Sequence, residues 1–130
     1  MVRKRKTNGF HLCEQSYKKS AKIRLEEFWA VFDKDDTVLV VINADPDSLA
    51  CAMSIKRLLR YRVKHITLAH PNEISRLNNV EMVERLRIPL ERLHAVKTGD
   101  YNKKVMVDSQ PNHLPAFEKI KFDVIIDHHP

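Results

Sequence analysis

The segment Thr37-Val38-Leu39-Val40-Val41-Ile42 constrains the fold of this 130-residue chain more than any other, because it is continuously aliphatic and β-branched yet too short for a helix. Such a run reads as a strand buried on both faces, the habit of parallel sheets. After Asn43-Ala44-Asp45-Pro46-Asp47, the residues Leu49, Ala52, Met53, Ile55, Leu58 and Leu59 recur at helical spacing, while Lys56, Arg57 and Arg60 fall on the other side. His65-Ile66-Thr67-Leu68-Ala69 then reads as another short strand. Strand, helix and strand within roughly 30 residues make a βαβ unit and hence a parallel sheet.

The rest of the chain extends that unit. Ser20 can cap a helix whose apolar face is Ile23, Leu25, Phe28, Trp29, Val31 and Phe32, with Phe28 and Trp29 read as core packing. Asn72 to Leu93 is helical in character, with Val80, Met82, Val83, Leu86 and Ile88 as its expected buried members and Pro89 as a break. A weak strand is expected near Leu93 to Val96, and clearer ones at Lys104-Val105-Met106-Val107 and Phe122-Asp123-Val124-Ile125-Ile126, with a short segment around Leu114 to Ile120 between them. The expected fold class is α/β: a three-layer α/β/α domain over residues 20–130 with a mainly parallel sheet of about five strands, preceded by a basic flexible leader at 1–19. The last strand is followed by nothing that would cover its edge, which leaves pairing with a second copy open and a homodimer as an expected partner state.

Composition narrows the function classes. The sequence has two glycines, Gly9 and Gly99, so neither a GxGxxG dinucleotide loop nor a GxxxxGK[ST] phosphate loop can be written in it. The two cysteines, Cys13 and Cys51, form no CxxC pair and no zinc-finger spacing, and the first residues carry charge without an apolar signal core. A reducing, cytoplasmic setting without a membrane partner is the expectation. The net charge of +6 suits a polyanionic partner. The run Val2 to Lys6, VRKRK, reads first as a solvated tail, and Lys56, Arg57, Arg60, Arg62 and Lys64 read first as solvated surface.

The informative fact is where the acidic residues fall. Ile42 leads to Asp45 and Asp47, Val107 to Asp108, and Ile126 to Asp127-His128-His129. In an open parallel sheet the carboxyl ends of the strands share one rim, where ligands bind. Several carboxylates and imidazoles on that rim repel one another and have their pKa values shifted upward unless cations neutralise them. Carboxylate and imidazole without thiolate suit manganese or magnesium, or iron or cobalt, better than a structural zinc. Two such ions are the usual engine of attack on phosphorus, which suggests hydrolysis of a phosphate ester or phosphoanhydride. Taken singly, Asp45, Asp47 or Asp108 reads as a turn or helix cap, and His65, His70, His94 and His113 read as surface or core residues; the joint pattern carries the argument.

With these residues in place, the chain resembles the DHH phosphoesterases, whose name-giving triplet stands here as Asp127-His128-His129. Three motifs of that family are visible in order, each at a strand end: VVINADPDSLACAM, VMVDSQP and DVIIDHHP, spanning roughly Thr37 to Pro130. The family includes oligoribonucleases acting on very short RNAs, cyclic-dinucleotide phosphodiesterases, a single-strand DNA exonuclease, exopolyphosphatases and manganese pyrophosphatases. The resemblance implies two manganese ions, with magnesium or cobalt as substitutes. It implies that Asp45 and Asp47 bind different ions, Asp108 bridges them, His128 ligates one, and His129 contacts the phosphate. Asp108, His128 and His129 would then be the catalytic residues, and Asp127 would orient His128 from behind.

The sequence also departs from the family pattern. Val41 stands where many members carry a histidine four residues before the first aspartate, and Asn43 stands where the exonuclease branch has an aspartate, so the resemblance makes Asn43 a neutral substitute ligand. The family's fourth aspartate motif and its C-terminal substrate-binding domain are not within these residues, so a missing C-terminal domain is expected, and weak metal binding and little hydrolysis by this chain alone. The implied substrate is a short oligonucleotide or a cyclic dinucleotide. The alternatives are polyphosphate or pyrophosphate hydrolysis, a noncatalytic regulatory module of the same fold, and a basic nucleic-acid-binding domain.

Overall fold

The computed structural model describes residues 10–11 and 19–129. Val2 to Lys6, Cys13, most of the expected leader, and Pro130 lie outside the described residues. Ser20 caps α1 (Ala21–Trp29), its side chain accepting from the Ile23 amide at 3.2 Å. The remaining elements are β1 (Phe10–His11), β2 (Thr37–Val41), α2 (Pro46–Leu59), β3 (His65–His70), α3 (Leu77–Arg85), β4 (Leu90–Arg92), β5 (Lys103–Val107), α4 (Pro115–Glu118) and β6 (Val124–Ile126).

The strands form one sheet in the order β1-β6-β5-β2-β3-β4, and every pairing is parallel. At its centre Val40 stands opposite Leu68 on one side and Val105 on the other. The strand pleat then divides the aliphatic run between two layers. Val38, Val40 and Ile42 pack with Phe28, Leu49, Leu59 and Val105, while Leu39 and Val41 pack with Met106, Phe117 and Ile125. Two separate apolar clusters, one on each face of the sheet, make this the three-layer α/β architecture that the continuous run implies. Phe28 is buried in the first layer, as expected, and Trp29 packs at its margin under the Arg62 guanidinium.

The structure corrects several local expectations. The sheet has six strands, because Phe10–His11, inside the expected leader, adds β1 beside β6 in register with Val124 and Ile125. A two-residue strand is too short to leave a periodic pattern. That pairing also covers the edge of β6 that the sequence leaves open. The strand expected near Leu93 to Val96 lies earlier, at β4, and Leu93–Ala95 is a short 3-10 turn.

The helix expected from Asn72 onward is confined to α3. It ends where Arg87 adopts a left-handed φ of 49°, with Arg87 N–H donating to the Glu84 carbonyl at 3.2 Å and Ile88 N–H to the Val83 carbonyl at 2.9 Å. This is the Schellman pattern with arginine where glycine is usual. The reversal turns Ile88 inward and leaves Leu86 60% exposed, against the expectation that Leu86 is buried. Among the described residues, no helix is long and apolar enough to cross a membrane.

Candidate metal centre

The topology places a crevice at the carboxyl ends of β2 and β5. From β2 the chain winds outward through β3 and β4, then crosses back to β5 and on to β6, so connections leave β2 and β5 in opposite directions. In open α/β sheets that switch point is where ligands bind. Asp45 and Asp47 follow β2, Asp108 follows β5, and Asp127, His128 and His129 follow β6.

Asp108 is the pivot of the arrangement. Its backbone is left-handed, with φ 56°, and its amide donates to the Ile126 carbonyl at 2.7 Å, tying the end of β5 to the end of β6. Aspartate tolerates this conformation better than most residues, and strained backbone concentrates at functional sites. The Asp108 side chain is only 7% exposed and lies 2.9 Å from Nε2 of His128, which is 73% exposed. Donor atoms of Asp108, His128 and His129 all fall within 4.8 Å of one another. Burial, and next the negative charge of Asp45, push the Asp108 carboxyl above the usual carboxylate range, while His128 and His129 oppose that rise. Asp45 and Asp108 follow the two neighbouring strands, β2 and β5, that flank the switch point.

Asp45 also has a structural task. Its Oδ1 accepts from the Ser48 amide at 2.8 Å, and Ser48 Oγ accepts from the Asp45 amide at 2.9 Å, a capping box that starts α2. Ser48 Oγ in turn donates to the Asn43 carbonyl at 2.7 Å, which fixes the loop between β2 and α2. The cap uses one carboxylate oxygen of Asp45 and leaves the other available. Asp47 lies in the first turn of α2, where a negative charge is favoured by the helix dipole.

The structure does not gather every residue of the sequence-derived set equally. Asp108, His128 and His129 form the compact group, and Asp45 acts on it electrostatically. Asp47 is exposed on α2, and Asn43 lines a neighbouring cleft with Asp45.

Asp127 has a different partner from the one expected. Its Oδ1 lies 2.6 Å from Nδ1 of His129, not beside His128, and its Oδ2 accepts from Gln110 Nε2 at 2.9 Å. Burial raises the Asp127 carboxyl, but the hydrogen bonds from His129 and Gln110 outweigh it and hold the group below the usual carboxylate range. The same bond to Asp127 lifts His129 above an ordinary histidine. Asp127 thus orients His129, and Gln110 braces both.

Three further residues belong to the neighbourhood. His113 accepts at Nδ1 from the Gln110 amide at 3.2 Å, with Ser109 Oγ 3.0 Å away, so the neutral ring carries its proton on Nε2. Its ring meets that of His129 edge-on at 5.9 Å. Gln110 stood within the quoted VMVDSQP motif, but nothing in spacing separated His113 from a surface histidine. Cys51, exposed on α2, has its thiol pushed up by partial burial and then by the charges of Asp108, Asp47 and Asp45. Its position four residues after Asp47, on the same helix face, was the available signal.

The donor set fits a divalent cation. Two ligands on neighbouring vertices of a six-coordinate ion, each about 2.1 Å from it, sit about 3 Å apart, and Asp108 and His128 already have that separation. By contrast, the basic residues from Lys56 to Lys64 lie where α2 ends and β3 begins, at the opposite rim.

No protein-family model matches the chain. No solved structure matches it. The chain is similar to the uncharacterized protein MJ1633 of Methanocaldococcus jannaschii, with 29% identity over 92 residues that cover 71% of this chain and 19% of that relative. The chain therefore corresponds to less than two thirds of the relative's length.

Proposed function

We propose that the chain carries the metal-binding part of a phosphoesterase site that hydrolyses phosphodiester bonds of short oligonucleotides or cyclic dinucleotides, with manganese as its cofactor. The observation that supports this reading best is the 2.9 Å approach of His128 to Asp108 at the switch point, with Asp45 close enough to raise the Asp108 carboxyl. The order and strand-end placement of the three motifs shared with the DHH phosphoesterases supports the same reading.

Divalent ions, when bound, supply Lewis acidity at the phosphoryl group and acidify water. The protein's own residues supply the rest. Asp108, Asp45, Asp47 and His128 would hold the ions, with Asn43 as a neutral donor nearby. His129, kept protonated more readily by Asp127, presents an exposed cation toward a phosphate. Gln110 holds Asp127 and the His129 carbonyl, at 2.9 and 3.4 Å, so the imidazolium keeps its direction.

The test is a substrate panel with protein in excess, so that a single turnover suffices: a linear dinucleotide, a cyclic dinucleotide, pyrophosphate and polyphosphate, each with and without manganese. Cleavage of the dinucleotides that needs manganese and falls at least about a hundredfold in Asp108→Asn is expected, in the range seen when one group that stabilises the transition state is removed. Preference for pyrophosphate or polyphosphate, or no cleavage of any substrate, overturns the proposal.

A further inference from the structure

From Ser48 to Asn72 the chain carries no acidic residue, and within that stretch Lys56, Arg57, Arg60, Arg62 and Lys64 gather on the last turn of α2 and the turn into β3. All but Lys56 are exposed, and among the described residues none of the five makes an ion pair. The carboxylates on the elements beside them leave this charge standing. Asp36, whose carbonyl accepts from the Lys64 amide at 2.9 Å, commits its own buried carboxylate to the Asp33 amide and to Asn102, each at 2.7 Å. Asp33, Asp35 and Glu26 are exposed and unpaired with the five cations.

A helix C-terminus favours cations, which accounts for Lys56, Arg57 and Arg60. It does not account for the residues beyond the helix. The Arg62 guanidinium lies 3.5 Å from the centroid of the Trp29 ring, and Trp29 is itself fixed by its indole N–H donating to the Leu58 carbonyl at 3.1 Å. A guanidinium held over an indole has given up part of its side-chain freedom before any ligand arrives. Tyr61 is 84% exposed, with the Arg60 guanidinium 5.1 Å from its ring centroid. An aromatic ring left that open contributes nothing to the core and offers its face to an outside partner.

The combination selects among polyanions. Guanidinium groups without a carboxylate partner suit phosphates, and an open aromatic face beside them suits a base that is not already stacked in a duplex. A peptide rich in carboxylates would satisfy the cations and leave Tyr61 without a stacking partner. A duplex would bring phosphates but no open base face.

We propose that the end of α2 and the turn into β3 form a docking surface for single-stranded nucleic acid, with Tyr61 stacking a base and Arg57, Arg60 and Arg62 taking the flanking phosphates. The surface is remote from the metal rim: the six residues of β3, about 20 Å of strand, separate the two ends of the sheet. It therefore holds a strand independently of the Asp108 site, and it stands whether or not that site hydrolyses phosphodiesters.

The experiment titrates the full chain, with divalent metal chelated, into a labelled oligothymidine of about twelve nucleotides, within the span of known single-strand sites, and reads fluorescence anisotropy. Trp29 is the single tryptophan and lies under Arg62, so its emission gives a second readout. Saturable binding that changes Trp29 emission and weakens as salt rises is the expected result. Tyr61→Ala is expected to weaken it at least about fivefold. Replacing Arg57 and Arg60 by glutamine is expected to lower the slope of log affinity against log salt by about 0.7 for each cation removed. These three positions are exposed, and circular dichroism confirms that the variants keep the fold. No saturable binding, equal affinity for polyglutamate or for a duplex of matching length, or binding indifferent to Tyr61→Ala or to the arginine pair overturns the proposal. A chain that binds the strand but cleaves nothing in the manganese panel sinks the phosphoesterase reading alone, and the reverse result sinks this surface alone.

Discussion

Asp108 combines a backbone demand with a chemical one, and substitutions separate the two. Asparagine tolerates the left-handed conformation, so Asp108→Asn is expected to fold with little loss of stability while losing most manganese affinity. Asp108→Ala is expected to lose affinity and about 1 kcal/mol of stability as well, because alanine enters that region at a cost of about 1–2 kcal/mol. Thermal denaturation beside metal titration checks both. The His129–Asp127 pair gives a pH signature. Asp127 has a lowered pKa in the fold, so its contribution is present above the ordinary aspartate value and lost as pH falls through the folded one. His129 has a raised pKa, so its contribution is full below the ordinary histidine value and lost as pH rises through the folded one. The pair therefore stabilises most between about pH 4 and 6.5. Asp108 acts in the opposite sense in metal-free protein, since its raised pKa makes ionisation costly to the fold as pH climbs. In NMR titration the His129 imidazole is expected to titrate above an ordinary histidine and to return toward it in Asp127→Asn; an unchanged His129 contradicts the pairing. At this scale the sequence made the carboxylates and the His-His pair legible, since each follows a strand. It could not reveal which histidine Asp127 holds, because that depends on how the chain turns after β6, nor the inclusion of His113, whose place follows from the turn that Gln110 and Ser109 close around its ring.

Between β2 and α2, one short loop both starts a helix and presents a carboxylate. Asparagine is as good a helix cap as aspartate, so Asp45→Asn is expected to keep stability and weaken manganese binding, whereas Ser48→Ala, which removes the reciprocal bond, is expected to cost about 1 kcal/mol and leave the metal affinity nearly intact. Chemical denaturation followed by Trp29 fluorescence, paired with metal titration, separates the two effects; equal metal loss in both variants would contradict the division. The end of α3 offers a gain. Replacing Arg87 by glycine at its left-handed position is expected to raise stability by about 0.5–1 kcal/mol, partly offset by the greater freedom of glycine in the unfolded chain. Elements were legible where a pattern ran long enough to bury a face: β2, β3, β5, β6, α1 and α2 follow their apolar runs. The short edge strands β1 and β4 bury little, and their existence depends on the neighbours they pair with, β6 and β3. The early end of α3 depends on a backbone reversal that no single residue announced.

Across the whole molecule, the switch point accounts for the site. A parallel sheet whose chain leaves in one direction and returns in the other must open a crevice between β2 and β5, and the residues following those strands are acidic. The core that holds this geometry is central rather than local: Leu39 and Val40 are fully buried on opposite faces of β2. Leu39→Ala is expected to cost about 2–5 kcal/mol. This was the part of the fold most open to sequence reasoning, since a run without polar interruption requires cover on both sides. The packing of Arg62 onto Trp29 was closed to it, because the two residues meet only once α1 lies against the end of α2. The most direct test of the account is titration of the full chain with manganese by calorimetry, alone and as Asp108→Asn. Saturable binding by the unsubstituted chain that weakens at least about tenfold on loss of the Asp108 charge is the expected outcome, the lower end of what losing a group at a metal site costs. Affinity that is absent at neutral pH, or indifferent to Asp108, would contradict it.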